Sequence, residues 1–139
     1  MNLIHLHPML VHFPIALALV AVVFNLAAFY FKQEWLNKAA VTLTVFAALG
    51  ALAAVLSGFF LTKPVAGLAA TLKADHVMYA MIATAFLIVA ALTGLIALLK
   101  FNNQTKLRYL FSAFLLCAAA FISVTGMVGG SIVYDVWLF

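Results

Sequence analysis

Hydrophobic residues are concentrated in four long segments, and short polar stretches separate them. The apolar segments span residues 8–31, 38–61, 76–99 and 107–130. Each exceeds the roughly 20 residues that an α-helix needs to cross a hydrocarbon layer of about 30 Å. Membrane β-barrels instead have strands of about 10 residues with alternating polarity, a pattern that this sequence lacks. We therefore predict an all-α fold, a bundle of four transmembrane helices that forms a single domain over residues 1–139.

The composition indicates that lipid surrounds the folded chain. Hydrophobic residues make up 69% of the sequence and charged residues 7%, whereas a soluble domain is about half apolar and about a quarter charged. One core of this size could not bury so much apolar surface. The formal net charge is +4, but the basic residues are scattered between apolar segments, which does not indicate a nucleic-acid partner.

The distribution of basic residues predicts the orientation of the helices. The first and third connections carry five of the seven basic residues: Lys32, Lys38, Lys100, Lys106 and Arg108. The second connection carries the other two, Lys63 and Lys73. Because basic residues favour the cytoplasmic side, we expect the first and third connections in the cytoplasm and both termini outside. In a bacterium, both termini would then be periplasmic.

Capping residues and prolines predict where the helices begin and end. Asp75 can cap the third helix, which makes His76 its first residue, and Pro64 follows the second helix. The first helix leaves two alternatives, because Pro14 lacks a backbone N–H. Either the helix kinks at Pro14, or it begins there after a separate initial segment.

The histidines are expected to converge on one end of the bundle. His5, His7 and His12 lie in the string HLHPMLVHFP at the start of the first helix, and His76 opens the third. These two helices run in the same direction, so all four imidazoles are expected at the outer leaflet. Polar side chains are costly inside a membrane, and such a cluster indicates a function. We predict His12 and His76 as the main pair of ligands, with His7 as the alternative ligand or part of a second site.

Glycines lie at the same predicted depth on the other two helices. Gly58 is near the outer end of the second helix. Three more are near the outer end of the fourth helix: Gly126, Gly129 and Gly130. Small residues let helices approach closely, and they also leave room for a flat group between helices. We predict that these glycines line a cofactor pocket.

Haem b suits this arrangement, since it takes axial imidazoles from facing helices and an apolar slot. Four side chains are candidates for contact with its propionates: Lys63, Lys73, Tyr79 and Tyr134. No CxxCH motif is present for covalent attachment. The alternative cofactor is a zinc or copper ion held by three histidines with Asp75 or Asp135, and the histidine spacing does not decide between the two.

Transport and hydrolysis are less well supported. The middle and inner parts of the predicted helices contain no charged residue, whereas transporters place ionisable groups near the bilayer midplane. Hydrolase motifs are missing, and three acidic residues leave little for acid–base catalysis. The sequence favours an electron-transfer protein over a stand-alone enzyme.

Four strings resemble one family: HPMLVHFPIAL near the N-terminus, SGF at the end of the second helix, DH before the third, and GGSIVYD after the fourth. The chain resembles, over nearly its whole length, the four-helix bacterial membrane family catalogued as domain of unknown function 2231. The resemblance implies haem binding and association with c-type cytochromes and respiratory components. The matching signature positions are His7, His12, His76, Gly129, Gly130 and Tyr134. The tail DVWLF departs from the family, whose members continue with a glycine-containing tail.

The leading hypothesis is a b-type haem protein in the bacterial inner membrane. It would pass single electrons from a membrane donor, such as a quinol, to an acceptor at the periplasmic face. The alternative is a non-redox membrane subunit whose histidines bind zinc, copper or a partner. Either protein could belong to a homo- or hetero-oligomer.

Overall fold

The computed structural model describes residues 6–62, 65–99 and 105–137. Four long helices make up nearly all of these residues: α1 (Leu6–Phe31), α2 (Glu34–Leu61), α3 (Leu68–Leu99) and α4 (Thr105–Ser131). The described residues contain no strand. Each helix is long and apolar enough to cross a membrane. The predicted all-α fold with four membrane-spanning helices is therefore confirmed.

The structure selects one of the two alternatives for the first helix, because α1 is a single helix that contains Pro14. Pro14 is buried against α2, and Gly50 lies opposite it. A Cβ at Gly50 would be 3.1 Å from Phe13 Cδ1 and 3.3 Å from Pro14 Cδ. The glycine thus lets α2 approach α1 closely where the proline ring replaces a backbone N–H.

The third helix begins two turns before the predicted start, so the assignment of Asp75 as an N-cap is wrong. α3 starts at Leu68, directly after Gly67, whose φ of +63° favours glycine. The intervening string LAATLKAD is rich in good helix formers, and the helix therefore extends beyond the long apolar run. His76 is consequently well inside α3, about 12 Å along the axis from Leu68.

The bundle consists of two helical hairpins with an alanine-rich core. α1 pairs most extensively with α2, and α3 with α4. Seven alanines at the centre are at most 4% exposed: Ala18, Ala21, Ala40, Ala47, Ala83, Ala90 and Ala118. Large apolar side chains such as Val23, Phe60 and Leu99 are instead exposed on the outside. A core rich in small residues, with many large apolar side chains on the outside, is the arrangement expected of helices packed in lipid.

A fifth, short element follows the last long helix. The π-helical segment Ile132–Trp137 continues α4 directly and packs against α3. The sequence predicted a helix ending at Gly130, and this extension was not foreseen. Single π turns are frequent near functional sites, and this one follows Gly129 and Gly130.

Gly94→Ala should destabilise the bundle. A Cβ at Gly94 would lie 2.9 Å from Val41 Cγ2 and 3.0 Å from Phe111 Cδ2, and both neighbours are 1% exposed. Because neither can move freely, we expect a loss of about 1–3 kcal/mol in the free energy of unfolding. Unfolding in detergent, followed by circular dichroism, measures this loss.

Gly126→Ala is the matched control, since a Cβ there meets no atom within 4 Å. Its free energy of unfolding should stay within about 0.5 kcal/mol of the parent chain. Equal losses for the two variants would contradict the packing described at Gly94.

Candidate functional site

Two histidines from different hairpins meet at one end of the bundle. His7 on α1 and His76 on α3 have ring centroids 6.3 Å apart and ring planes at 84°. We call these two residues the histidine pair. The end where α1 and α3 begin and α2 and α4 end is the histidine end. Both rings are half-buried, so the pair lies among the helices rather than on their outer surface.

A serine on the neighbouring helix determines which nitrogen of His7 carries the proton. The Nδ1 of His7 is 2.8 Å from Ser57 Oγ on α2. The Ser57 hydroxyl donates its only hydrogen to the carbonyl of Ala54, 2.7 Å away. Ser57 therefore accepts from His7, and neutral His7 carries its proton on Nδ1 with the free electron pair on Nε2.

A backbone carbonyl does the same for His76. Its Nδ1 is 3.0 Å from the carbonyl oxygen of Thr125 on α4. A carbonyl only accepts hydrogen bonds, so Nδ1 must donate, and Nε2 keeps its electron pair. Both members of the pair thus present Nε2 as the metal-binding nitrogen. A second-shell acceptor on Nδ1–H is the usual way in which proteins orient a ligating histidine.

Two of the predicted glycines provide space for the rings. A Cβ at Gly58 would lie 3.1 Å from Cε1 of His7, and a Cβ at Gly129 would lie 3.0 Å from Cε1 of His76. Each imidazole therefore packs on a glycine of the partner helix within its own hairpin. A Cβ at Gly126 or Gly130 meets no atom within 4 Å, so the α4 surface at these positions is open.

The two hairpins build their halves of the site in the same way. His7 and Ser57 are 50 residues apart, and His76 and Thr125 are 49 residues apart. In each hairpin the first helix supplies the imidazole, and the second supplies both the hydrogen-bond acceptor and the glycine. Two similar units thus place one imidazole each at the meeting point of the hairpins.

His12, which the sequence analysis paired with His76, occupies a different position. Its side chain is exposed, and its Nδ1 is hydrogen-bonded to the carbonyl of Pro8 on the same helix. The structure therefore brings together His7 and His76 rather than His12 and His76. His5 lies outside the described residues.

The other predicted site residues are dispersed. Tyr134 is 64% exposed, and the Tyr79 ring is tilted against Phe121 with centroids 6.4 Å apart. Lys73 is half-buried on α3, three residues before His76.

Lys63 and the side chain of Asp135 lie outside the described part of the chain. Within that part, no three His, Cys, Asp or Glu side chains form a group that could hold a metal ion.

Sequence reasoning missed both hydrogen-bond acceptors of the site. Ser57 stands next to Gly58 in the string SGF, so a search for polar partners beside the predicted glycines would have found it. Thr125 contributes its backbone carbonyl, which every residue possesses. No side-chain pattern could have identified this second acceptor.

Fold and site together define a four-helix membrane protein with a two-imidazole site at one end of the bundle. Residues 3–138 match the family described as predicted membrane protein, DUF2231. The chain belongs to this family, as the four strings in its sequence indicated. No curated protein and no solved structure matches it.

The hydrogen bonds predict that neutral His7 and His76 are both Nδ1–H tautomers. Nitrogen-15 chemical shifts of histidine-labelled protein in detergent distinguish the two ring nitrogens. Ser57→Ala removes the acceptor of His7 alone, so only His7 should shift toward the Nε2–H form. Ser112→Ala, which removes another buried serine that donates to its own helix, should leave both rings unchanged. Nε2–H tautomers in the parent chain would contradict the assignment.

Proposed function

We propose that this chain is a b-type haem protein that transfers single electrons, and that His7 and His76 are the axial ligands of its iron. The observation that supports this most directly is the pairing of two half-buried imidazoles, each with Nδ1–H bonded and Nε2 available. The ligand pair proposed here replaces His12 with His7, because the structure places His7 beside His76.

The number of nearby ligands favours haem over a bare metal ion. Zinc sites use three or four protein ligands, and the described residues offer no such group. Haem iron needs only one or two axial ligands from the protein, because the porphyrin provides the others. Among the described residues, a pair of imidazoles therefore suits haem better than it suits zinc.

The separation of the rings also suits this role. Haem b would take its protein ligands from facing helices, and His7 and His76 would supply them from α1 and α3. The centroids of His7 and His76 are 6.3 Å apart. Two imidazoles at this separation would serve as the protein ligands of one haem.

The residues around the pair would orient the ligands. Ser57 and the Thr125 carbonyl hold the two rings in one tautomer, and Gly58 and Gly129 leave the space that the rings occupy. The α4 surface is also open at Gly126 and Gly130, where the flat group would lie. When bound, haem b would supply one-electron redox chemistry, and its potential would depend on the ligands and the low dielectric of the bundle.

The proposed setting follows from the basic residues of the sequence. With the basic connections in the cytoplasm, the histidine end faces the periplasm of a bacterial inner membrane, and both termini are periplasmic. A quinol in the lipid phase is the proposed donor. A c-type cytochrome or another respiratory subunit at the periplasmic face is the proposed acceptor.

The test is the absorption spectrum of the full chain, purified in detergent from haem-replete cells. We expect a Soret band and, after reduction with dithionite, the sharp α and β bands of a low-spin haem. His7→Ala and His76→Ala should each abolish or shift these bands, because each removes one axial ligand.

His12→Ala is the matched control, because it removes an exposed imidazole from the same helix, and its spectrum should equal that of the parent chain. Colourless protein that also fails to take up added hemin would overturn the haem proposal. Copper or zinc bound to that colourless protein would support the alternative of a metal-binding membrane subunit. Unchanged spectra for both His7→Ala and His76→Ala would overturn the ligand assignment.

A further inference from the structure

A second polar site lies at the opposite end of the bundle, between the end of α1, the start of α2 and the start of α4. We call it the Arg108 groove, a depression of about 390 Å³. Its lining residues are Ala28, Phe29, Lys32, Glu34, Arg108 and Tyr109. The groove shares no residue with the histidine pair and plays no part in the function proposed above.

Aromatic rings hold the arginine of this groove in place. The Cζ atom of Arg108 lies 5.8 Å from the centre of the Phe29 ring, within the range of a cation–π contact. Phe29 is in turn stacked on Tyr109, with centroids 5.5 Å apart and planes at 15°. The guanidinium therefore lies at the inner wall of the groove rather than extending freely into water.

Arg108 has unused hydrogen-bonding capacity at this position. Its Nε is buried and makes no hydrogen bond with the described residues, which is a costly state for a charged donor. Lys32 adds a second positive charge, and Glu34 supplies the one carboxylate of the lining. The lining thus carries an excess of positive charge, which a bound anion would neutralise. Because Nε is enclosed, such an anion would bond to the terminal nitrogens of the guanidinium.

The position of the groove along the helices suggests the source of that anion. Exposed aromatic residues surround this end of the bundle: Tyr30, Phe31, Trp35 and Tyr109. Aromatic residues at the ends of membrane-spanning helices are typical of the headgroup region of a bilayer. Basic pockets between helices at this depth bind anionic lipid headgroups.

We propose that the Arg108 groove binds the phosphate of an anionic phospholipid. Arg108 donates the principal hydrogen bonds, since a guanidinium matches phosphate oxygens in geometry and charge. Lys32 adds charge at the rim of the groove. The acyl chains lie on the apolar outer surface of the bundle, an interaction that free phosphate lacks, and the site therefore prefers the lipid.

Native mass spectrometry of the full chain in detergent tests this proposal. The protein is titrated with phosphatidylglycerol, with phosphatidylcholine of the same acyl chains, and separately with inorganic phosphate. We expect saturable binding of phosphatidylglycerol at least about tenfold tighter than binding of phosphatidylcholine. Binding of inorganic phosphate as tight as that of the lipid would overturn the assignment to phospholipid.

Arg108→Gln should weaken binding of phosphatidylglycerol by about tenfold or more, because it removes the charged donor. Lys106→Gln is the matched control: it removes the same charge from the exposed first turn of α4, outside the groove lining, and should change the affinity less than about twofold. Equal losses of affinity in these two variants would mean that the lipid is attracted by net charge alone. That result would overturn the assignment of the binding site to the Arg108 groove.

Arg108 also packs against Phe29, so a second variant separates loss of binding from loss of folding. Lys32 has a φ of +54°, a conformation that asparagine tolerates, and Lys32→Asn therefore removes a groove charge without straining the connection. Its affinity for phosphatidylglycerol should fall several-fold while the far-ultraviolet circular dichroism stays unchanged. Parent-like affinity in well-folded Lys32→Asn and Arg108→Gln would refute the proposal.

Discussion

An imidazole placed among membrane helices must find an acceptor for its N–H, because neither lipid nor an apolar core supplies one. His7 finds this acceptor in Ser57, and His76 finds it in the carbonyl of Thr125. In both cases the acceptor belongs to the partner helix of the same hairpin. The rest of the site depends on this constraint, since it determines the tautomer, directs the free electron pair to Nε2 and anchors each ring before any ligand binds.

The packing of the bundle makes this arrangement possible. Alanines in the core let the helices approach closely, and Gly58 and Gly129 leave space where each ring lies against the partner helix. Each hairpin can therefore present its imidazole independently. The meeting of the hairpins then determines the distance between the two rings. A site assembled in this way is preorganised for a ligand that binds both nitrogens.

The number of helices and the convergence of histidines on one end were predictable, because they depend on hydropathy and on the direction of alternate helices. The sequence could not predict whether His7 or His12 would pair with His76. These residues lie five positions apart, about 140° around a helix, so only the rotation of α1 decides which one faces α3. The position of His76 along α3 could not be predicted either, since α3 begins at Leu68 rather than at the apolar run. The Arg108 groove also depends on contacts between distant segments, as Phe29 and Tyr109 illustrate.

The central claim is the direct contact between His7 and His76, and nuclear Overhauser effects between histidine ring protons measure it most directly. In the haem-free, histidine-labelled chain in deuterated detergent, we predict cross-peaks between the rings of His7 and His76 and none between His12 and His76. Cross-peaks from His12 to His76, with none from His7, would contradict it.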